Sequence, residues 1–187
     1  MTTHRLHIEN NEVYFCTLTC YKWLPLFEIT KGYEMVYNWF NILKIKGCQL
    51  LGYVIMPNHL HMLLYPTEGS LNTLVANGKR FMAYELVKRL ENGANSDVLK
   101  ELKAGVQNNE RKKGKKHQVF RLSFDARKCF SQSMIEQKLN YIHHNPVQGK
   151  WSLASAYVEY IHSSAGYYEL GLENELITHY RELNVVQ

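Results

Sequence analysis

The stretch from Cys48 to Tyr65 constrains this chain most. Cys48 to Met56 is mostly apolar, with Leu50, Leu51, Tyr53, Val54 and Ile55 at its centre. Pro57-Asn58 is a turn signal, and His59 to Tyr65 is apolar again except at its two histidines. Two such runs on either side of a two-residue turn read as adjacent antiparallel strands, and they commit the chain to a sheet.

The flanking sequence supplies the other elements. Glu12 to Cys20, rich in aromatic and β-branched residues, reads as a strand. Thr30 to Lys46 reads as a helix with Tyr33, Val36, Tyr37, Phe40 and Leu43 on one stripe, closed by Gly47. Ser70 can cap a helix running to about Glu91, with Leu74, Phe81, Leu86 and Leu90 among its apolar positions. Asp97 to about Val106 suits a short helix, and Gln118 to Phe124 alternates like a strand. Ser133-Met134-Ile135-Glu136 fits a capping box, so a helix is expected to start there and to end at Pro146. This order predicts an α+β fold, an antiparallel sheet with helices packed mainly on one face. The 187 residues suit one domain, with a mobile basic loop near 107–117 and a C-terminal tail from about 151.

Composition excludes several classes. No apolar run reaches the roughly 18 residues of a membrane span, and Met1 to Arg5 is not followed by the apolar core of a signal peptide. Cytoplasmic residence without a membrane partner is the expectation. Cys16, Cys20, Cys48 and Cys129 form no C-x-x-C pair and read as reduced thiols. The chain lacks a phosphate-binding G-x-x-x-x-G-K-[ST] loop, an H-E-x-x-H helix and a G-x-S-x-G elbow. A common ATPase, zincin or α/β-hydrolase is therefore disfavoured. Net charge is +5, and Arg111, Lys112, Lys113, Lys115 and Lys116 place five cations in six residues without an acid. Such a run favours a polyanion and makes these residues candidate DNA contacts.

Two short motifs carry the chemistry. His59 and His61 are two apart on a strand, so both imidazoles share a face and can converge on one cation. Downstream, Ile135, Leu139 and Ile142 define the buried stripe of a helix. At about 100° per residue, Tyr141 lies roughly 130° off that stripe and Asn145 within about 40° of Tyr141. A phenol and a carboxamide thus share a face that is not the core face. His144 projects away from the stripe, and His143 flanks it. Taken singly, each motif fits a plainer arrangement better: two surface or sheet-face histidines, and a tyrosine packed on the sheet or a neighbouring helix.

The segment Tyr53 to Leu64, with Pro57-Asn58-His59-Leu60-His61, resembles the histidine-hydrophobic-histidine segment of HUH-superfamily single-tyrosine transposases. Lys138 to Val147, with Tyr141-Ile142-His143-His144-Asn145-Pro146-Val147, is similar to the tyrosine helix of their REP-associated branch. Val13 to Thr19 and Ser163-Ser164-Ala165 add to the likeness, which covers most of the chain. The resemblance implies a ferredoxin-like domain that cuts and rejoins single-stranded DNA, bearing a hairpin, through a 5′-phosphotyrosine intermediate. It implies Tyr141 as nucleophile and His59, His61 and Asn145 as ligands of a divalent metal, Mg²⁺ or Mn²⁺. A monomer or homodimer associated with the nucleoid would follow. The chain departs from the family after Asn-Pro-Val, where Gln148-Gly149 replaces a basic residue and an alanine. A nucleic-acid-binding protein that keeps the fold without the chemistry is the alternative.

Overall fold

The computed structural model describes residues 9–122 and 124–183. The N-terminal stretch read for a signal peptide lies outside these residues. A four-stranded antiparallel sheet forms the centre, built from β1 (Val13–Thr19), β2 (Cys48–Met56), β3 (His59–Pro66) and β4 (Asp125–Cys129) in the order β2-β3-β1-β4. This is the ferredoxin-like arrangement. The expected hairpin forms with Met56 opposite His59, and β3 also pairs with β1, so β3 and β1 are the interior strands.

Side chains alternate between two cores. Tyr14, Cys16, Leu18, Leu60, Met62 and Leu64 face one side. There they meet α2 (Tyr33–Ile45) and α3 (Leu71–Asn92), after the one-turn α1 (Leu26–Ile29). The short α4 (Ser96–Ala104) adds Leu102 to that core, and the one-turn α5 (Asn108–Arg111) follows it. Val13, Phe15, Val54, Leu63 and Cys129 face the other side, beneath α6 (Gln132–His144) and the C-terminal segment. The α+β reading holds, with α2, α3 and α4 together on one face and α6 on the other. Burial on both faces explains why β2 and β3 read as continuous apolar runs. All four thiols are buried and unbridged. Among the described residues no helix is long and apolar enough to cross a membrane.

Several boundaries differ from the sequence expectation. The last strand is Asp125–Cys129, not Gln118–Phe124. It sits at the sheet edge with only its terminal Cys129 buried, so its charged sequence carries no apolar alternation. Val119 and Phe120 are buried in the core, but the segment forms an isolated bridge between Phe120 and Cys20 in place of a strand. In α3 the buried stripe is Leu71, Val75, Gly78, Met82, Leu86 and Leu90, whereas Phe81 is partly exposed. The stripe is hard to read because Gly78 belongs to it: a Cβ there would lie 2.2 Å from the Trp39 ring. Helix α6 begins at Gln132 with Ser131 as its N-cap, the hydroxyl accepting from Met134 N at 3.3 Å.

The segment from residue 151, read as a tail, is part of the body. Ile55 N donates to His162 O at 2.8 Å, Ser164 N to Tyr53 O at 3.0 Å and Thr178 N to Leu50 O at 3.0 Å. These bonds satisfy the free edge of β2. The helix α7 (Ala165–Leu170) and Tyr180 complete the cover, with Tyr180 Oη donating to Glu136 on α6 at 2.6 Å.

Candidate active site

The site forms where α6 crosses β1 and β3. Gly52 on β2 leaves room for the Leu139 side chain of α6, because a Cβ there would stand 2.4 Å from Leu139 Cδ2. With Ile135, Leu139 and Ile142 buried against the sheet, Tyr141 is turned along it and stays 46% exposed. Its ring lies edge-on to Phe15, with centroids 6.0 Å apart, and to His61, at 5.4 Å. Phe15 is the floor: the His61 ring stacks on it at 5.4 Å and Lys138 Nζ lies 5.2 Å from its centre. His59 and His61 converge, with ring centroids 4.6 Å apart.

Each imidazole is oriented by a neighbour. The Asn58 amide donates from Nδ2 to the Trp23 carbonyl at 3.1 Å, which leaves its Oδ1 to accept from His59 Nδ1 at 2.7 Å. That bond places the His59 proton on Nδ1 and leaves Nε2 as the ring's lone-pair donor. His61 Nδ1 pairs with Thr17 Oγ1 at 2.9 Å, across the strand register that sets Thr17 opposite His61. Such partners hold ligating histidines in place in metal sites. Burial pushes His59 down to about 4, with a hydrogen bond to Asn145 opposing the shift. Burial, reinforced by His59 and Lys138, pushes His61 down to about 3. Both rings are neutral near pH 7, the form that binds metal.

The structure therefore brings together His59, His61, Asn145 and Tyr141. Asn145 caps α6 as the first residue of a 3-10 turn, Asn145–Val147, and its side chain reaches His59. Among the described residues no group of three or more His, Cys, Asp or Glu could hold a metal. The candidate donors are instead two imidazoles and a carboxamide, which suit a divalent cation that also takes phosphate oxygens. His143 is buried and bonds Ser164 Oγ at 2.9 Å, tying α6 to the C-terminal segment. His144 stacks on Tyr157 at 3.9 Å.

The basic run begins at the end of α5. Arg111 donates to Val106 O at 3.1 Å and to Lys103 O at 2.9 Å, while Lys115 lies 3.0 Å from both carboxylate oxygens of Glu110. Lys112, Lys113 and Lys116 are exposed, with no hydrogen-bond or ion-pair partner among the described residues. Sequence reasoning missed Phe15 and Thr17, which act through cross-strand contacts, and Asn58, which bonds its neighbour His59 and the Trp23 carbonyl. It also missed Lys138, whose place one turn before Tyr141 was the available signal.

No family model and no curated protein matches the chain in sequence. Solved structures do match in fold. The chain is similar over its full length, and over 98% of the other chain, to a REP-associated tyrosine transposase bound to a REP hairpin, with a TM-score of 0.63 at 12% identity. A candidate transposase from Deinococcus radiodurans R1 matches over 77% of this chain and 97% of that one, with a TM-score of 0.42 at 16% identity. The chain thus shares the overall fold of that REP-associated tyrosine transposase, the branch that the two motifs resemble.

Proposed function

We propose that this protein cleaves and rejoins single-stranded DNA at hairpin-flanked sites, using Tyr141 as the nucleophile. The observation that carries this reading is an exposed phenol held against His61, one of two neutral, converging imidazoles whose Nδ1 atoms are already engaged. Tyr141 Oη attacks a backbone phosphorus and the bond from phosphorus to the 3′ oxygen breaks. The phenol proton passes to solvent, and the departing 3′ oxygen takes up a proton. The product is a 5′-phosphotyrosine link, which a second 3′-hydroxyl can reverse. Bond energy is conserved, so no nucleotide cofactor is required.

His59, His61 and Asn145 would hold a divalent cation, Mg²⁺ or Mn²⁺. Such an ion, when bound, supplies Lewis-acid polarisation of a phosphoryl oxygen. The chain's own residues do the rest. Phe15 and the packed α6 fix the direction of Tyr141. Lys138, with no carboxylate partner among the described residues, offers a positive charge to the phosphate that approaches this neutral group. The hairpin held by the structurally similar transposase supports a hairpin-bearing strand as the partner. The free cations Lys112, Lys113 and Lys116 would contact phosphates away from the reacting bond, with Arg111 and Lys115 shaping that surface.

The test is a covalent adduct. With Mn²⁺ and hairpin-flanked single-stranded DNA, the wild-type chain should acquire a DNA-linked band that maps to Tyr141. Tyr141→Phe should fold normally and lose it completely. Salt-dependent binding with no adduct from the wild type would leave a nucleic-acid-binding protein in place of the enzyme.

A further inference from the structure

Trp23 lies beside the site and serves neither core. It is 48% exposed, which alone means little. Its backbone means more. Lys22 and Trp23 both have positive φ, 49° and 60°, a conformation that residues with a Cβ avoid. Three contacts hold this turn: Trp23 N to Cys20 O at 3.1 Å, Asn58 Nδ2 to Trp23 O at 3.1 Å, and the ion pair of Lys22 with Glu101. Strain kept in this way beside a chemical site serves to aim a side chain.

The indole is aimed at two partners. Its ring lies at 82° to that of His59, with centroids 5.6 Å apart, and the Arg121 guanidinium stands 5.1 Å from its centre. Arg121 has no carboxylate partner among the described residues. Its backbone is fixed, since Arg121 N donates to Thr19 O at 2.9 Å and Lys79 Nζ donates to Arg121 O at 2.7 Å. A cleft of about 430 Å³ adjoins it, lined by Lys79, Arg80, Lys115 and Arg121 with Glu110 as the acid. That volume suits a nucleotide-sized group, and the excess of cations suits its phosphate.

We propose that Trp23 and Arg121 form a stacking platform for one unpaired nucleobase of single-stranded DNA, whose backbone then runs into the cationic cleft. The proposal rests on the reading of the protein as a single-strand processor and adds a binding subsite next to His59. An indole accepts any base face, and a guanidinium beside it adds both charge and a second plane.

The experiment uses the full chain without divalent metal, so that no strand is cut, and an oligonucleotide carrying 2-aminopurine at successive positions. The wild type should quench one position strongly. Trp23→Ala should abolish that quenching and bind the single strand about ten- to hundred-fold more weakly, whereas Trp23→Phe should stay within a few-fold. A duplex of the same sequence has no free base face and should bind all three proteins equally. Single-strand affinity unchanged in Trp23→Ala, or an equal loss for duplex, would overturn the platform. Should Trp23→Ala misfold, Arg121→Gln carries the same test, with weaker single-strand binding and a shallower salt dependence expected. The two readings separate cleanly. A Tyr141 adduct with undiminished affinity in Trp23→Ala removes the platform and leaves cleavage; position-specific quenching without any adduct keeps the platform and removes cleavage.

Discussion

Asn58 joins three contacts in one residue. Its amide holds the strained Trp23 carbonyl and its oxygen orients His59, while its own backbone carbonyl accepts from Cys20 N at 2.9 Å. Thr17 performs the matching task for His61. If these contacts set ligand direction, Thr17→Val and Asn58→Ala should each weaken Mn²⁺ binding about 10- to 100-fold with both histidines intact. Calorimetric titration of the DNA-free protein measures this, and unchanged affinity in both variants would remove the orienting role. At this scale the sequence was informative only for residues that share one element. His59 with His61, and Tyr141 with Asn145, are legible from strand and helix periods. Thr17 is opposite His61 only because β1 and β3 pair in one register, and no local pattern contains that register.

The tyrosine helix depends on a glycine it never touches in sequence. Gly52 leaves room for Leu139, so adding a methyl group there displaces the Leu139 side chain from its seat and disturbs the packing that sets Tyr141 relative to His61. Gly52→Ala should cost about 1–3 kcal/mol of stability and slow adduct formation at a temperature where the variant is still folded. Gly78→Ala, which drives a Cβ into the Trp39 ring on the opposite face, should destabilise as well but leave the adduct rate of the folded protein near that of the wild type. Urea midpoints and single-turnover adduct assays compare the two. Equal slowing in both would mean that the rate follows general loosening, not helix placement. The elements themselves were largely legible because α2, β2 and β3 bury strong apolar stripes. The last strand was not, since an exposed edge needs no alternation and its residues were chosen for water.

The whole molecule is closed by residues 160–183, which lie along β2 and against α6. His162 is central to this closure. It stacks on Tyr33 at 3.8 Å and pairs with Tyr37 Oη at 2.9 Å, and burial holds it below the ordinary imidazole range. The unfolded chain then takes up a proton on His162 at a pH where the folded chain does not. Stability contributed by the neutral ring is present above about pH 6.5 and is lost as pH falls toward the lowered folded value. The urea midpoint should drop between pH 7 and pH 5, and His162→Gln should reduce that slope; an identical slope in the variant would place the sensitivity in other groups. The aromatic content of this segment was visible in the sequence, but its docking was not. The bonds from Ser164, Tyr160 and the segment's backbone to Leu50, Tyr53 and Ile55 join residues far apart in sequence, and no local pattern contains that pairing.

That late closure has a consequence for synthesis. A chain emerging from the ribosome presents its histidines early and its tyrosine helix some eighty residues later. Until residues 160–183 follow, β2 keeps an unpaired edge and α6 lacks the Ser164 and Tyr180 contacts that seat it. A chain made only that far thus already carries His59, His61 and Tyr141 without the contacts from Ser164 and Tyr180 that seat α6 against the sheet.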